Sequence, residues 1–357
     1  MSRFLSERFS DLEPYVPGEQ PQDQKYVKLN TNESPYPVSE KAAARAEEAI
    51  KKLQLYPDPD CRGLAEKLTT YLNEKNGTVL ATENVLLTNG SDEILNFAFM
   101  AFCDEKTCAV FPDITYGFYP VFADMNSVPY REIPLDEDFR IIPENYAKAG
   151  GTIFIANPNA HTGVALARDE IEGIIASNPD NVVVVDEAYV DFGAESCIPL
   201  VEKYDNLLVT QTFSKSRSMA GARLGFGVGC TELMQDLNTI RNSTNPYNIN
   251  AMTMAAGIGV LEDDEYTQEN CGKIAETRAA TVEQLKALGF ALTDSISNFV
   301  FMKHPDIDGG WLYEELKKQG VLVRHFTKER IAQYNRVTIG SPEQMEIFIR
   351  TLKEILK

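Results

Sequence analysis

At 357 residues, with 43% apolar and 24% charged positions, the chain has an ordinary globular composition and length for about two domains. It contains no run of about 18 apolar residues, and Met1-Ser-Arg-Phe-Leu-Ser-Glu-Arg8 has no long apolar core, so neither a membrane span nor a secretory signal is expected. The net charge of −19, from 34 basic and 53 acidic residues, repels nucleic acid and anionic membranes, and no Lys/Arg cluster offsets it.

Residues 1 to about 28 are polar and punctuated by Pro14, Pro17 and Pro21, and read as an arm. Leu29–Pro37 is turn-rich. A helix capped by Ser39 is predicted to about Leu53 and another over about 63–73, separated by Tyr56-Pro-Asp-Pro59. From Val85 to about Gly229 short apolar runs alternate with helical stretches. The predicted strands are 85–88, 108–111, 128–133, 152–156, 182–185, 207–210 and 225–229, the pattern of a mostly parallel sheet covered by helices. Helices then dominate, the last over about 264–288, followed by a shorter α+β unit with strands near 291–304, 321–326 and 336–339 and a closing helix from Ser341. The expected division is an arm over 1–28, a large α/β domain over 29–263 and a small α+β domain over 264–357.

Cys61, Cys103, Cys108, Cys197, Cys230 and Cys271 are scattered without a CxxC pair, and there are only three histidines. That spacing predicts neither a zinc site nor a disulfide framework, and a reducing cytoplasm is the simplest home. Gly225-Phe-Gly-Val-Gly229 lacks the spacing of a dinucleotide fingerprint, and its glycines are expected to permit close strand packing.

Two strands converge on one chemistry. Val182-Val-Val-Val185 has four β-branched residues without alternation, which reads as a parallel strand buried on both faces, and it runs into Asp186-Glu-Ala-Tyr189. Leu207-Leu-Val-Thr210 runs into Gln211-Thr-Phe-Ser-Lys215. The carboxyl ends of such strands are where open α/β sheets hold ligands, so a carboxylate, a phenol and an amine are delivered to one edge. A single lysine is ordinarily a solvated surface charge; what accompanies Lys215 argues otherwise.

Thr212-Phe-Ser-Lys-Ser-Arg-Ser-Met-Ala-Gly221, with Arg223 just beyond, resembles the lysine-attachment motif of the class-II aminotransferases, fold-type I enzymes that use pyridoxal 5′-phosphate (PLP). The resemblance extends from Tyr15 to Arg336. It implies a large, mostly parallel sheet domain with a smaller α+β domain. It also implies a set of roles: Lys215 as the amine that bonds the cofactor and moves the proton, and Asp186 as the partner of the pyridine nitrogen. Tyr189 and Asn157 are implied to hydrogen-bond the ring's phenolate oxygen, and Tyr116 to cover its face. Gly90, Ser91 and Asp92, at the start of a helix, form the implied phosphate cradle with Ser214 and Arg223, because a helix N-terminus presents free N–H groups to an anion. Tyr56 matches a residue that reaches across a homodimer to the neighbouring site.

Within that superfamily the arm Glu13-Pro-Tyr-Val-Pro-Gly18 resembles that of the histidinol-phosphate aminotransferases, whose tyrosine, here Tyr15, lines the substrate site. Arg324 and Arg336 match that family's two anion-binding arginines. The implied reaction transfers the amino group of L-histidinol phosphate to 2-oxoglutarate. The alternatives are an aromatic amino-acid aminotransferase and a PLP-dependent decarboxylase of a phosphorylated amino acid. A PLP-binding regulator would need a DNA-binding domain for which no spare residues remain. Two positions depart from the family pattern. His161, in Asn157-Pro-Asn-Ala-His-Thr-Gly163, stands where proline is usual, and Arg217 replaces a residue usually uncharged. His161 is expected to be a tolerated loop change, and Arg217 either counters an anion or points to solvent. Asn248, in Pro246-Tyr-Asn-Ile-Asn250, belongs to a family block with no role that the residues themselves suggest.

Overall fold

A computed structural model describes residues 2–357. The arm ends in a short strand, β1 (Val27–Lys28), before helix α1 (Glu40–Ile50), whose first turn is capped by the Ser39 hydroxyl accepting from Ala42 N–H. Then come α2 (Arg62–Asn76), β2 (Val85–Thr88), α3 (Ser91–Phe102), β3 (Cys108–Pro112), α4 (Phe118–Asn126) and β4 (Tyr130–Ile133). β5 (Gly151–Ala156), α5 (Arg168–Ala176), β6 (Val183–Asp186), β7 (Leu207–Thr212) and β8 (Gly225–Val228) complete the strand-rich part. α6 (Thr231–Thr244), α7 (Ala251–Leu261) and the long α8 (Asp264–Ala287) lead to β9 (Ala291–Leu292), β10 (Phe299–Lys303), α9 (Gly309–Lys318), β11 (Val321–Leu322), β12 (Arg324–His325), β13 (Asn335–Thr338) and α10 (Pro342–Ile355).

Strands β2 to β8 form one seven-stranded sheet in the order β2-β8-β7-β6-β5-β3-β4. β8 alone runs against its neighbours. The apolar run over 225–229 therefore makes a reversed strand, which its residue pattern does not distinguish from a parallel one. The unalternating runs have a direct cause. Ile153, Ile155, Val183, Val185, Leu207 and Val209 join the buried cluster on one face, while Phe154, Val184 and Leu208 join the cluster on the other. Each fully buried Val or Leu contributes roughly 1.5–3 kcal/mol relative to exposure, so both faces favour this register. In register, Ala156, Asp186 and Thr210 are neighbours, and Thr88 and Thr212 each pair with Gly225. The carboxyl ends of β2, β5, β6 and β7 and the start of β8 thus share one edge.

The second sheet, β12-β13-β10-β9, is antiparallel throughout. It packs with α8, α9 and α10 around a separate buried cluster that includes Phe299, Val337, Ile339, Phe348 and Leu352. The polar, proline-punctuated arm does not stay irregular to its end. β1 pairs in parallel with β11, and Leu29, fully buried, belongs to this second cluster rather than to the large sheet's core. The reason is local: Val27 and Leu29 are the apolar residues of that stretch, and the carbonyls of Gly320 and Leu322 accept their N–H groups.

Candidate active site

β7 ends at Thr212, and the next turn carries Ser214 and Lys215 onto the shared edge. Lys215 Nζ donates to the Thr31 carbonyl at 3.1 Å and lies 5.8 Å from the centroid of the Tyr189 ring. β6 ends at Asp186, 4% exposed, where one carboxylate oxygen accepts from Ala188 N–H at 3.2 Å and the other from the Tyr119 hydroxyl at 3.3 Å. Among the described residues no cation pairs with it. Burial, and secondarily the charge of Asp92, pushes the Asp186 carboxyl up to about 7. Tyr189 follows on the same turn, its hydroxyl accepting from Asn32 Nδ2 at 3.0 Å.

The β2–α3 turn and the β7–β8 loop face each other across this edge. Gly90 adopts φ 81°, a left-handed value suited to glycine, and a Cβ there would lie 2.6 Å from Arg223 Nη2. Gly225 is equally constrained: a Cβ would meet the Gly90 carbonyl carbon and Ser91 nitrogen at 2.5 Å. The two glycines let the start of α3, with its free N–H groups, sit directly beside Arg223. That guanidinium reaches Ser214 Oγ at 3.3 Å and Asp92 Oδ2 at 3.0 Å. Tyr116 donates to the other Asp92 oxygen at 2.6 Å.

A cavity lies between these groups, lined by Ser91, Asp92, Tyr116, Ala156, Pro158, Ala160, Asp186, Ala188, Tyr189, Thr212, Ser214, Lys215 and Arg223. Of the predicted cofactor residues, Ser91, Asp92, Tyr116, Asp186, Tyr189, Ser214, Lys215 and Arg223 line it, and three do not. Gly90 is not on the wall, and its N–H donates to the Thr88 carbonyl at 2.9 Å. Asn157 is buried and spends its amide on the Leu166 backbone, donating at 3.1 Å and accepting at 2.8 Å; its neighbours Ala156 and Pro158 form the wall instead. Tyr56 lies outside this cavity, 81% exposed and stacked on Tyr247 at 4.7 Å.

A wider cleft of about 500 Å³ opens on the same lysine. Its wall includes Tyr15, Thr31, Tyr116, His161, Tyr189, Lys215, Arg324 and Arg336. Tyr15 stacks on Phe118 at 4.2 Å, which fixes the arm over α4. Arg324 is oriented by the arm's own backbone, donating to the carbonyls of Pro17 and Val16 at 3.1 and 2.9 Å. Arg336 donates to the Ala160 carbonyl at 2.7 Å, and its Nε is buried without a partner; burial works against its charge. An anion is the group that would compensate both arginines.

Two positions left open by the sequence are placed. Of the two readings for Arg217, it counters an anion, but one of the protein's own: it is 3% exposed, paired with Asp191 and outside the cavity. Asn248 donates to Glu93 Oε2 at 2.6 Å, bracing the first turn of α3. Sequence reasoning missed Tyr119, Thr31, Asn32 and Thr212. Tyr119 sits three residues past Tyr116, which was a usable signal. Thr31 and Asn32 lie more than 150 residues from their partners, and no local pattern marks them.

The residues fit a phosphorylated pyridine cofactor. A buried carboxyl has no cation beside it among the described residues, a left-handed glycine turn and an arginine offer a place for an anion, and a lysine amine lines the same cavity. Among the described residues there is no cluster of His, Cys, Asp and Glu suited to a metal ion, and no helix long and apolar enough to cross a membrane. A family model described as aminotransferase class I and II matches residues 24–352. A histidinol-phosphate aminotransferase from Brachyspira hyodysenteriae is 47% identical over 359 residues, covering the whole of both chains. One from Clostridium beijerinckii is 44% identical over all of this chain and 98% of its own. The crystal structure of histidinol-phosphate aminotransferase from Sinorhizobium meliloti, in complex with pyridoxal-5′-phosphate, shares the fold with a TM-score of 0.89 over 99% of both chains at 22% identity. With sequence, site and fold in agreement, the chain belongs to the class I and II aminotransferases, PLP-dependent enzymes, and within them to the histidinol-phosphate aminotransferase family.

Proposed function

We propose that this aminotransferase takes its amino group from L-histidinol phosphate and passes it to 2-oxoglutarate. The observation that carries the reading is that Arg324 and Arg336 line the same cleft as Lys215, so an anionic substrate tail and a reacting amine fit it together. The overall charge of −19 opposes a doubly charged substrate, and capture falls to these local, directional groups. Full-length identity of 44–47% to relatives named for that substrate supports the same donor.

Bound PLP supplies the electron sink for the negative charge that develops on the donor's α carbon as its proton leaves. Lys215 Nζ would hold the cofactor covalently at rest and would be the base that carries the donor's α proton. Asp186 keeps the pyridine nitrogen protonated, and the Tyr119 hydroxyl orients that carboxylate. Ser91, Ser214, Arg223 and the N–H groups of Ser91 and Asp92 at the start of α3 hold the phosphate, while Gly90, its own N–H spent on the Thr88 carbonyl, gives the turn its left-handed φ. Tyr116 covers the ring, and Tyr189 meets its phenolate oxygen. Asn157 is the weaker member of that pair: one N–H remains free after its bond to Leu166. Tyr15 closes the substrate side.

We further propose a homodimer in which Tyr56 crosses to the neighbouring site; its exposure, beside the exposed Tyr247 and outside its own chain's cavity, supports this. A cytoplasmic location is in keeping with six unpaired cysteines. The division near residue 263 into large and small domains is supported by the two separate sheets. Steady-state assays with histidinol phosphate, phenylalanine and threonine phosphate as donors test the substrate reading. Histidinol phosphate should give the highest kcat/KM, and a preference for phenylalanine would replace the reading with an aromatic amino-acid aminotransferase.

A further inference from the structure

His161 stands where the family's loop usually has proline, and the structure gives its ring a specific setting. It lines the substrate cleft with Arg324, Arg336, Tyr15 and Lys215. The imidazole packs on Phe326, ring centroids 4.4 Å apart. The same phenyl ring carries the guanidinium groups of Arg336 at 5.6 Å and Arg324 at 5.7 Å. Arg336 also donates to the carbonyl of Ala160, the residue before His161, so imidazole and guanidinium share one wall. His161 Nδ1 is buried with no hydrogen-bond partner, whereas Nε2 keeps some access to solvent and no group among the described residues bonds it. The ring's single proton is best placed on Nε2, where there is space for an acceptor.

We propose that His161 is a specificity-determining residue for the amino donor, its Nε2–H hydrogen-bonding the donor's phosphate beside Arg324 and Arg336. This rests on the donor reading above. The charge logic favours a neutral donor at this point. Burial first, then the charges of Arg336, Arg324 and Lys328, hold the imidazole's pKa down to about 3, so it adds an N–H without adding a further cation to a crowded wall. A carboxylate is planar and is served by an arginine fork. A phosphate monoester has three terminal oxygens pointing in different directions, and a third donor off the arginine plane is useful to it alone. Proline at this position offers no donor.

The test compares His161→Phe and His161→Gln with the parent holoenzyme in each half-reaction, followed through cofactor absorbance. It also measures histidinol phosphate binding by calorimetry in a Lys215→Ala background, where turnover is absent. His161→Phe should weaken histidinol phosphate binding and raise its KM by about tenfold or more, the range for a hydrogen bond to a charged group. kcat should change little, and the glutamate half-reaction, which also reports correct folding and cofactor loading, should stay near the parent's. His161→Gln, which keeps an N–H, should recover most of the loss. If both variants bind histidinol phosphate like the parent, or if histidinol phosphate and glutamate are weakened alike, the ring only packs and the proposal is overturned. A parent enzyme that does not accept histidinol phosphate removes the donor reading itself, and this proposal with it.

Discussion

The guanidinium of Arg217 and the carboxylate of Asp191 meet at 2.9 Å with side-chain exposures of only 1% and 6%. Ser216 Oγ donates to the same carboxylate oxygen at 2.5 Å, and Lys75 reaches the other oxygen at 2.7 Å. Arg217 also lies over the rings of Phe213 and Tyr71. This buried cluster fastens the two residues that follow Lys215 to the turn that follows Tyr189. Despite the cost of burial, Arg217 and Lys75 hold the Asp191 carboxyl well below the usual carboxylate range.

Removing one partner leaves the other charged and buried, which costs about 3–5 kcal/mol. Arg217→Leu and Asp191→Leu should each lower the melting temperature and the urea midpoint markedly, while the double variant should lose less than the sum. Because the folded pKa of Asp191 is depressed, its contribution is present above the unfolded carboxylate range and is lost as pH falls. The difference between parent and Asp191→Leu should therefore shrink in acid. Strict additivity of the two single variants would show that the pair is not coupled.

Lys215→Ala should abolish turnover and the covalent link to the cofactor while leaving the fold intact, since among the described residues Nζ makes only one hydrogen bond, to Thr31. Borohydride reduction of the parent should place the phosphopyridoxyl group on Lys215. A label recovered on another lysine would sink the site described above.

The Asp186 carboxyl is raised to about 7 in the cofactor-free protein, and that of Glu187, also by burial, to about 7. A carboxyl raised on folding stabilises fully below its unfolded value, near 4, and its contribution is lost as pH rises through 7. Cofactor-free protein should thus melt at lower temperature at pH 8 than at pH 6, and PLP, by giving Asp186 a cationic partner, should raise stability more at pH 8. Asp186→Asn should flatten part of that slope, bind the cofactor and lose most of its activity. Near-normal kcat in this variant would mean that Asp186 only caps its turn.

Arg336→Ala and Arg324→Ala should each cost on the order of 2–5 kcal/mol of transition-state binding. In kcat/KM that is roughly 30-fold to several-thousand-fold. Arg336, the more enclosed, should impair both half-reactions, because donor phosphate and glutamate carboxylate use its site in turn. Single-turnover conversion with each substrate is the measurement. Equal rates of histidinol phosphate conversion in the parent and both variants would leave an aromatic amino acid as the better donor.

Much of this molecule is legible along the chain. Two-sided burial demands unbroken apolar runs, so β6 and β7 announce themselves, and each run delivers its functional residues, Asp186 and Lys215, within a few positions of its end. A glycine turn ahead of a helix likewise marks Gly90 as the start of a candidate anion site. These features are local, because strand period, helix capping and backbone freedom depend on residues a few positions apart. Only the tertiary structure decided what the polar side chains meet. The reversal of β8, the burial of Arg217 against Asp191, the grip of Thr31 on Lys215 and the capture of Arg324 by the carbonyls of Val16 and Pro17 are contacts between distant segments. A hydrogen bond is short and directional, and the same arginine or asparagine is compatible with water, a ligand or a buried carboxylate until packing selects one. That is why the sequence alone puts Lys215 and Asp186 at one sheet edge, while the setting of His161, Arg324 and Arg336 had to await the fold.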